Sequence, residues 1–245
     1  MILKSFITAI RTLTILPVPG SEAERPVDSL SFFPLVGELI GGAVLLVAWL
    51  MAAKLGWVAG AAWSGVLVMV CLTRALHLDG LGDVVDAFFG AQARERRLEI
   101  MKDPHVGAFG AAAIFLALLC KVVALERLCA TGHFGWIVLP AVLSRTVMAL
   151  VITRLPYARA EGGKAQGFFA GARPAHFWMA GALAILLCFL HAGHIGLFAA
   201  AAALALGLLM IRWMKRNFGG ATGDLLGWAG ETTECILYFC LALIS

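Results

Sequence analysis

Charge is scarce in this chain. Asp, Glu, Lys and Arg make up 14% of its 245 residues, where a soluble domain carries roughly a quarter, and that excludes an ordinary solvated surface. No two of the six cysteines (Cys71, Cys120, Cys129, Cys188, Cys235, Cys240) stand at metal-ligand spacing. A zinc or dithiol motif is therefore excluded, and the thiols read as small packing groups. A net charge of +4 is too modest for a nucleic-acid patch. No internal repeat supports an inverted-repeat transporter. The opening segment lacks a small-residue cleavage site before Pro17 and Pro19, so no cleaved leader is expected and insertion rests on the spans themselves.

What the chain has is hydrocarbon: 61% hydrophobic residues and a mean hydropathy of +0.91. The expected fold is all-α, a polytopic membrane helix bundle forming one domain over residues 1–245. Phe6, Ile7, Ile10, Leu13 and Leu16 predict an amphipathic segment within a polar N-terminal stretch, 1–30. Apolar runs follow at about 34–53, 57–76, 106–125, 135–153, 176–191, 195–213 and 235–244. At about 20 residues per span these predict about seven spans, with six to eight as the range. With the N-terminus inside, 15 of the 19 Lys and Arg fall on inner segments. Lys54, Lys121 and Arg127 fall outside, and Arg145 lies within a span. The positive-inside rule then places 79–105, 154–175 and 214–234 in the cytoplasm.

Six of the fifteen acidic residues form two clusters. Asp79, Asp83 and Asp86 lie at offsets of 0, 4 and 7, one face of a helix. Asp224, Glu231 and Glu234 lie at offsets of 0, 7 and 10, again one face. Carboxylates beside hydrocarbon are costly unless paired, and three together repel unless a cation joins them. Hard oxygen donors favour magnesium or manganese. Two such faces opening to one side could share metal ions, with His77 a ligand or a hydrogen-bonded structural histidine. Glycines flanking both clusters allow helices, or a phosphate, to approach closely.

Cations complete the pattern. Residues 94–103 (Arg-Glu-Arg-Arg-Leu-Glu-Ile-Met-Lys-Asp) predict a short cytoplasmic surface helix that anchors to anionic lipid or clamps phosphate through Lys102 or an arginine. Arg145, beside Ser144, needs an anionic partner, either an acidic cluster or a substrate phosphate. His133, His176, His191 and His194 have no acidic neighbour in sequence and read as interfacial. A carboxylate-lined metal site flanked by cations suits transfer of a phosphorylated group from a nucleotide-activated donor to an alcohol.

Three segments carry a family resemblance: His77-Leu78-Asp79-Gly80-Leu81-Gly82-Asp83 with Asp86, Leu98-Glu99-Ile100-Met101-Lys102-Asp103, and Gly219-Gly220-Ala221-Thr222-Gly223-Asp224 with Gly227. Together with Phe6-Ile7-Thr8-Ala9 to Pro17 and Phe33-Pro34-Leu35-Val36-Gly37, they resemble the cobalamin synthases, adenosylcobinamide-GDP ribazoletransferases, over almost the whole chain. The resemblance implies a magnesium-dependent enzyme of a bacterial cytoplasmic (inner) membrane, its active site facing the cytoplasm. The implied reaction joins adenosylcobinamide-GDP to α-ribazole or its 5′-phosphate and releases GMP. By the same resemblance Asp79, Asp83, Asp86 and Asp224 are metal ligands. Asp83 and Arg145 serve catalysis, and His77, Lys102, Arg145 and Thr222 bind substrate. Membrane lipid is an expected partner, nucleic acid is not, and homo-oligomer formation is left open. The chain departs from the family pattern at Pro104-His105, where His105 supplies charge only when protonated.

Two other enzyme classes fit less well. A CDP-alcohol phosphotransferase calls for Asp-x-x-Asp-Gly followed by Ala-Arg, whereas here Gly80 follows the first aspartate of the cluster and no Ala-Arg follows. A membrane prenyltransferase calls for Asp-x-x-x-Asp motifs in both halves, which Asp224 with Glu231 does not match. A transporter is the non-enzymatic alternative, but its acidic residues would lie near span midpoints, whereas these lie at span ends.

Overall fold

The amphipathic opening forms α1 (Ile2–Leu13), which buries Ile7, Ala9, Ile10 and Leu13. Arg11 closes the following loop by donating to the carbonyls of Val18 and Gly20 at 2.8 and 3.0 Å. In the computed structural model, which describes residues 2–245, a 3-10 turn (Pro26–Phe32) leads into α2 (Phe33–Trp49) and a π turn (Leu50–Lys54). Then come α3 (Val58–Thr73), α4 (Leu76–Gly90), α5 (Arg94–Ile100), α6 (Ala108–Ala130), a second 3-10 turn (Phe134–Val138), α7 (Leu139–Arg154), α8 (Gln166–Phe169), α9 (Pro174–Phe218) and α10 (Gly223–Ile244). Among the described residues the sole β pairing is an isolated bridge between Tyr157 and Ala221.

The centre is α7, in which every residue from Leu139 to Ile152 is buried. It packs against α2, α9 and α10, while α4 packs against α10 and α6. The outer surface is apolar: Trp63, Leu67, Phe115, Leu116, Trp178, Phe198 and Leu209 are all exposed. Water would not tolerate so much contiguous hydrocarbon, whereas lipid would.

Helices occupy all the predicted apolar runs, but the count of about seven spans is not reached by length and apolarity. Four stretches qualify (Pro26–Lys54, Ala108–Ala130, Phe134–Arg154, Pro174–Phe218), and five if α3 and α4 together make one broken span. Three features explain the shortfall. At 16 residues, α3 is shorter than the roughly 20 a span needs. Glu231 and Glu234 sit inside α10. The 45 residues of α9 count once, although Gly193 (φ 54°, ψ −129°) breaks it into two arms. A Cβ on Gly196 would strike the Cys188 carbonyl, so the arms fold back on one another. At the break His191 bonds Glu38 of α2 at 2.8 Å, giving the histidine an acidic partner that its sequence neighbours do not supply.

One bend positions the site. Between α3 and α4 the chain turns by 86° through Arg74 and Ala75, both non-glycine residues in the left-handed region at φ 53° and 54°. Such a pair is strained. It turns α4 onto α10, with Gly80 against the backbone of Asp224 and Gly227 against that of His77. The predicted loop 79–105 is therefore two helices, α4 and α5. The predicted surface helix is α5, fastened from its middle: Arg97 donates to Asn217 Oδ1 at 2.9 Å and lies 4.8 Å over the Phe88 ring.

Candidate active site

A cavity of about 520 Å³ opens where α4, α7, α10 and the 155–165 loop meet. Asp79 and His77 enter it from α4, Asp224 from the first turn of α10, and Tyr157, Arg159 and Lys164 from the loop. Leu13, Phe33, Met148 and Ile152 form an apolar wall. The loop is held in register by the strand-like pairing with the residues before α10: Ala158 N donates to Ala221 O and Ala221 N to Pro156 O, both at 2.9 Å. Thr222 then caps α10, accepting from Leu225 N at 3.3 Å.

Two of the four aspartates predicted as metal ligands, Asp79 and Asp224, line this cavity. Asp83 lies half-buried on α4, one turn on from Asp79, and is coupled electrostatically to Asp79, Asp224, Asp86 and Arg159. Asp86 is turned away: its carboxylate accepts from Gly107 N at 2.7 Å and Gly110 N at 2.9 Å, serving as the cap of α6. Among the described residues no three His, Cys, Asp or Glu side chains form a ready metal cage. Magnesium does not need one, since it is commonly held by one or two carboxylates together with substrate phosphates and water. Asp79 and Asp224 fit that donor set, with Asp83 close by.

Arg159 commands the cavity. Its Nη2 donates to Asp224 Oδ2 at 2.8 Å and to the Met101 carbonyl at 3.3 Å, while its Nε is buried without a hydrogen-bond partner among the described residues. The Tyr157 hydroxyl lies against it, and burial raises that phenol's pKa above the usual range. Sequence reasoning did not pick out Arg159, Tyr157 or Lys164. Arg159 and Lys164 looked like inside-loop charges, and the only usable signal was that this loop, 154–175, is long.

The other predicted residues lie elsewhere. Lys102 is exposed and pairs with Glu161, whose carboxyl that ammonium holds below the usual range. Thr222 is buried as the α10 cap. Arg145 lies behind the cavity wall, fully buried on α7, and pairs with Glu234. It donates to Ser144 Oγ at 2.8 Å, and its Nη2 stands 3.4 Å from His77 Nδ1. Its anionic partner thus comes from the second acidic cluster, and it bears on the cavity through His77. Lys121, placed by sequence on the outer side, is buried instead. It lies 2.6 Å from Glu231 and 2.5 Å from Glu234. Two cations therefore neutralise two glutamates, and of the second cluster only Asp224 faces the cavity.

The family model described as CobS, cobalamin-5-phosphate synthase, matches residues 5–242. The chain belongs to the cobalamin synthase family. An adenosylcobinamide-GDP ribazoletransferase of Chlorobaculum parvum is 42% identical over 248 residues, covering 98% of this chain and 96% of that relative. One from Chlorobium phaeobacteroides is 44% identical over 242 residues, covering 96% of each. A more distant one, from Syntrophobacter fumaroxidans, is 40% identical and covers 95% of each chain. No solved structure matches. The cobalamin synthase match spans every element that lines the cavity.

Proposed function

We propose that this chain transfers the phosphocobinamide portion of adenosylcobinamide-GDP to α-ribazole or its 5′-phosphate, giving adenosylcobalamin or its phosphate and releasing GMP. Family membership supports the reaction. The observation that carries the site is the convergence of Asp79, Asp224 and Arg159 on one cavity from segments far apart in sequence. At about 520 Å³ the cavity is sized for a small ligand or part of a large one. It would take the nucleotide diphosphate end and leave the corrinoid outside.

The acceptor's ribose hydroxyl oxygen bonds to the phosphorus nearest the corrinoid while the bond from that phosphorus to the GMP oxygen breaks. We take Asp83, one turn of α4 from Asp79, as the base that receives the hydroxyl proton. Asp79 and Asp224 would hold Mg²⁺, which when bound withdraws charge from the diphosphate. Arg159 and Lys164 face the same charge, and fixed cations are most effective where it accumulates. Tyr157 stands beside Arg159 in the cavity lining, and the apolar wall excludes bulk water.

Lys102, Arg94, Arg96 and Arg97 belong to the α5 segment, which is joined to the cavity loop through Lys102–Glu161 and through Arg159 to the Met101 carbonyl. This clustering of positive charge supports a cytoplasm-facing site in the inner membrane.

Detergent-purified protein incubated with adenosylcobinamide-GDP, α-ribazole and Mg²⁺ should release GMP and form cobalamin in equal amounts. Chelation should stop both and added Mg²⁺ or Mn²⁺ restore them. Turnover that ignores chelation would remove the metal from this reading, and absence of both products would remove the reaction.

A further inference from the structure

We infer that Arg159 exchanges partners during the catalytic cycle, pairing with Asp224 when the cavity is empty and with the donor's diphosphate once a dication occupies the carboxylates. The inference rests on the proposed function and assigns one residue's task within it.

The geometry argues for an exchange rather than a fixed bridge. Asp224 has one oxygen engaged by Arg159 at 2.8 Å, and Thr222 Oγ1 reaches the same oxygen at 3.5 Å. A dication approaching Asp224 meets a guanidinium already there. The two cations repel at that range, so a dication taken up on the free Asp224 oxygen weakens the arginine's hold on the other. The arginine is also under-used where it lies. A guanidinium carries five N–H donors in a rigid fork suited to phosphate, yet the Arg159 Nε is buried without a partner among the described residues, and Nη2 is shared between Asp224 and a backbone carbonyl. A diphosphate in the cavity would complete that fork.

The loop is built to allow a side-chain swing without losing its backbone. Ala158 is locked to Ala221 next to Arg159, and Lys102–Glu161 ties down the far side. Gly163 leaves room for Tyr157, since a Cβ there would strike the tyrosine hydroxyl. The resting contact with Asp224 keeps an acidic cavity from standing uncompensated, and the filled site needs the same cation a short distance away.

The exchange gives a signature that a structural role would not. Removing the guanidinium should help the metal and harm the nucleotide. In detergent-solubilised full-length protein, Mn²⁺ alone should bind Arg159→Ala about tenfold more tightly than wild type, because a competing cation has gone. GDP at saturating Mn²⁺ should bind it at least about tenfold more weakly, because a charge-assisted pair to phosphate has gone. Arg159→Lys, which keeps the charge but not the fork, should fall between on both measurements and serves if the alanine variant does not fold. Arg96→Ala, which breaks only a surface pair with Glu99, should move neither. The inference is overturned if the two affinities change in the same direction, or if neither changes. Failure of wild-type protein to bind Mn²⁺ with or without GDP would instead remove the metal-site reading, and this inference with it.

Discussion

The Lys121 ammonium on α6 lies 2.5 Å from a carboxylate oxygen of Glu234 on α10, in the interior of the bundle and with almost no exposure. The same lysine reaches Glu231 at 2.6 Å, and Glu234 also takes Arg145 from α7. Three helices are thereby joined through a charge-balanced group of two cations and two carboxylates. Removing one member strands a charge in hydrocarbon, which is far costlier than the intact group is stabilising. Lys121→Met should lower stability by about 3–5 kcal/mol, read as a fall in the midpoint of heat-induced loss of folded protein in detergent. Adding Glu231→Gln should recover much of that loss, because the stranded charge goes with it. A double-mutant cycle measures the coupling.

Asp86 separates two roles that spacing alone cannot. Its hydrogen bonds to Gly107 N and Gly110 N make it the cap of α6, and removing such a cap costs about 1–2 kcal/mol. Asp86→Ala should therefore destabilise by that amount, and Asp86→Asn by less, since one acceptor oxygen remains. Mn²⁺ affinity should stay within about twofold of wild type in Asp86→Asn and fall at least about tenfold in Asp79→Asn, where a ligand charge is lost. Equal weakening in both variants would return Asp86 to the ligand set.

Much of this was legible in the residues. Three aspartates at helical spacing announced an acidic face, and each apolar run falls on a helix, although most of α4 and the first half of α10 lay outside those runs. Tertiary pairing was not legible. Lys121 looked like an outer-side charge because its partners lie over a hundred residues away on α10. Arg159 looked like one more inside-loop cation because nothing local shows that Ala158 zips to Ala221. The sharp turn before α4 was hidden for another reason: it carries neither Gly nor Pro, the usual marks of a break. Asp86 shares a face with Asp79 and Asp83, but only the incoming α6 decides what it binds.

Gly80 tests whether the approach of α4 to α10 sets the spacing of Asp79 and Asp224. A Cβ there would lie 2.6 Å from the Asp224 carbonyl and 3.0 Å from its Cα. Backbone cannot yield as a flexible side chain can, so Gly80→Ala must separate the helices. Overpacking of this kind costs about 1–3 kcal/mol. GMP release should fall further than stability does, because the two cavity carboxylates move apart. Gly42→Ala is the matched control: no atom stands within 4 Å of its added Cβ. Inside α2 it should gain about 0.5–1 kcal/mol and keep full turnover.

The strained bend yields the sharpest separation of stability from function. Ala75 holds φ at 54°, a conformation that costs an L-residue roughly 1–2 kcal/mol and glycine almost nothing. Ala75→Gly should therefore relieve native strain, although glycine's greater unfolded freedom offsets part of the gain. The net expectation is a midpoint raised by about 0.5–1 kcal/mol in equivalent stability. Activity should move the other way if the strain helps hold α4 rigidly against α10. With glycine at the hinge the direction of α4 is less tightly fixed, and His77 and Asp79 lie only two and four residues beyond it. A variant more resistant to heat but several-fold slower in GMP release would show that the strained pair pre-organises the cavity. Unchanged turnover would make the bend a matter of packing alone.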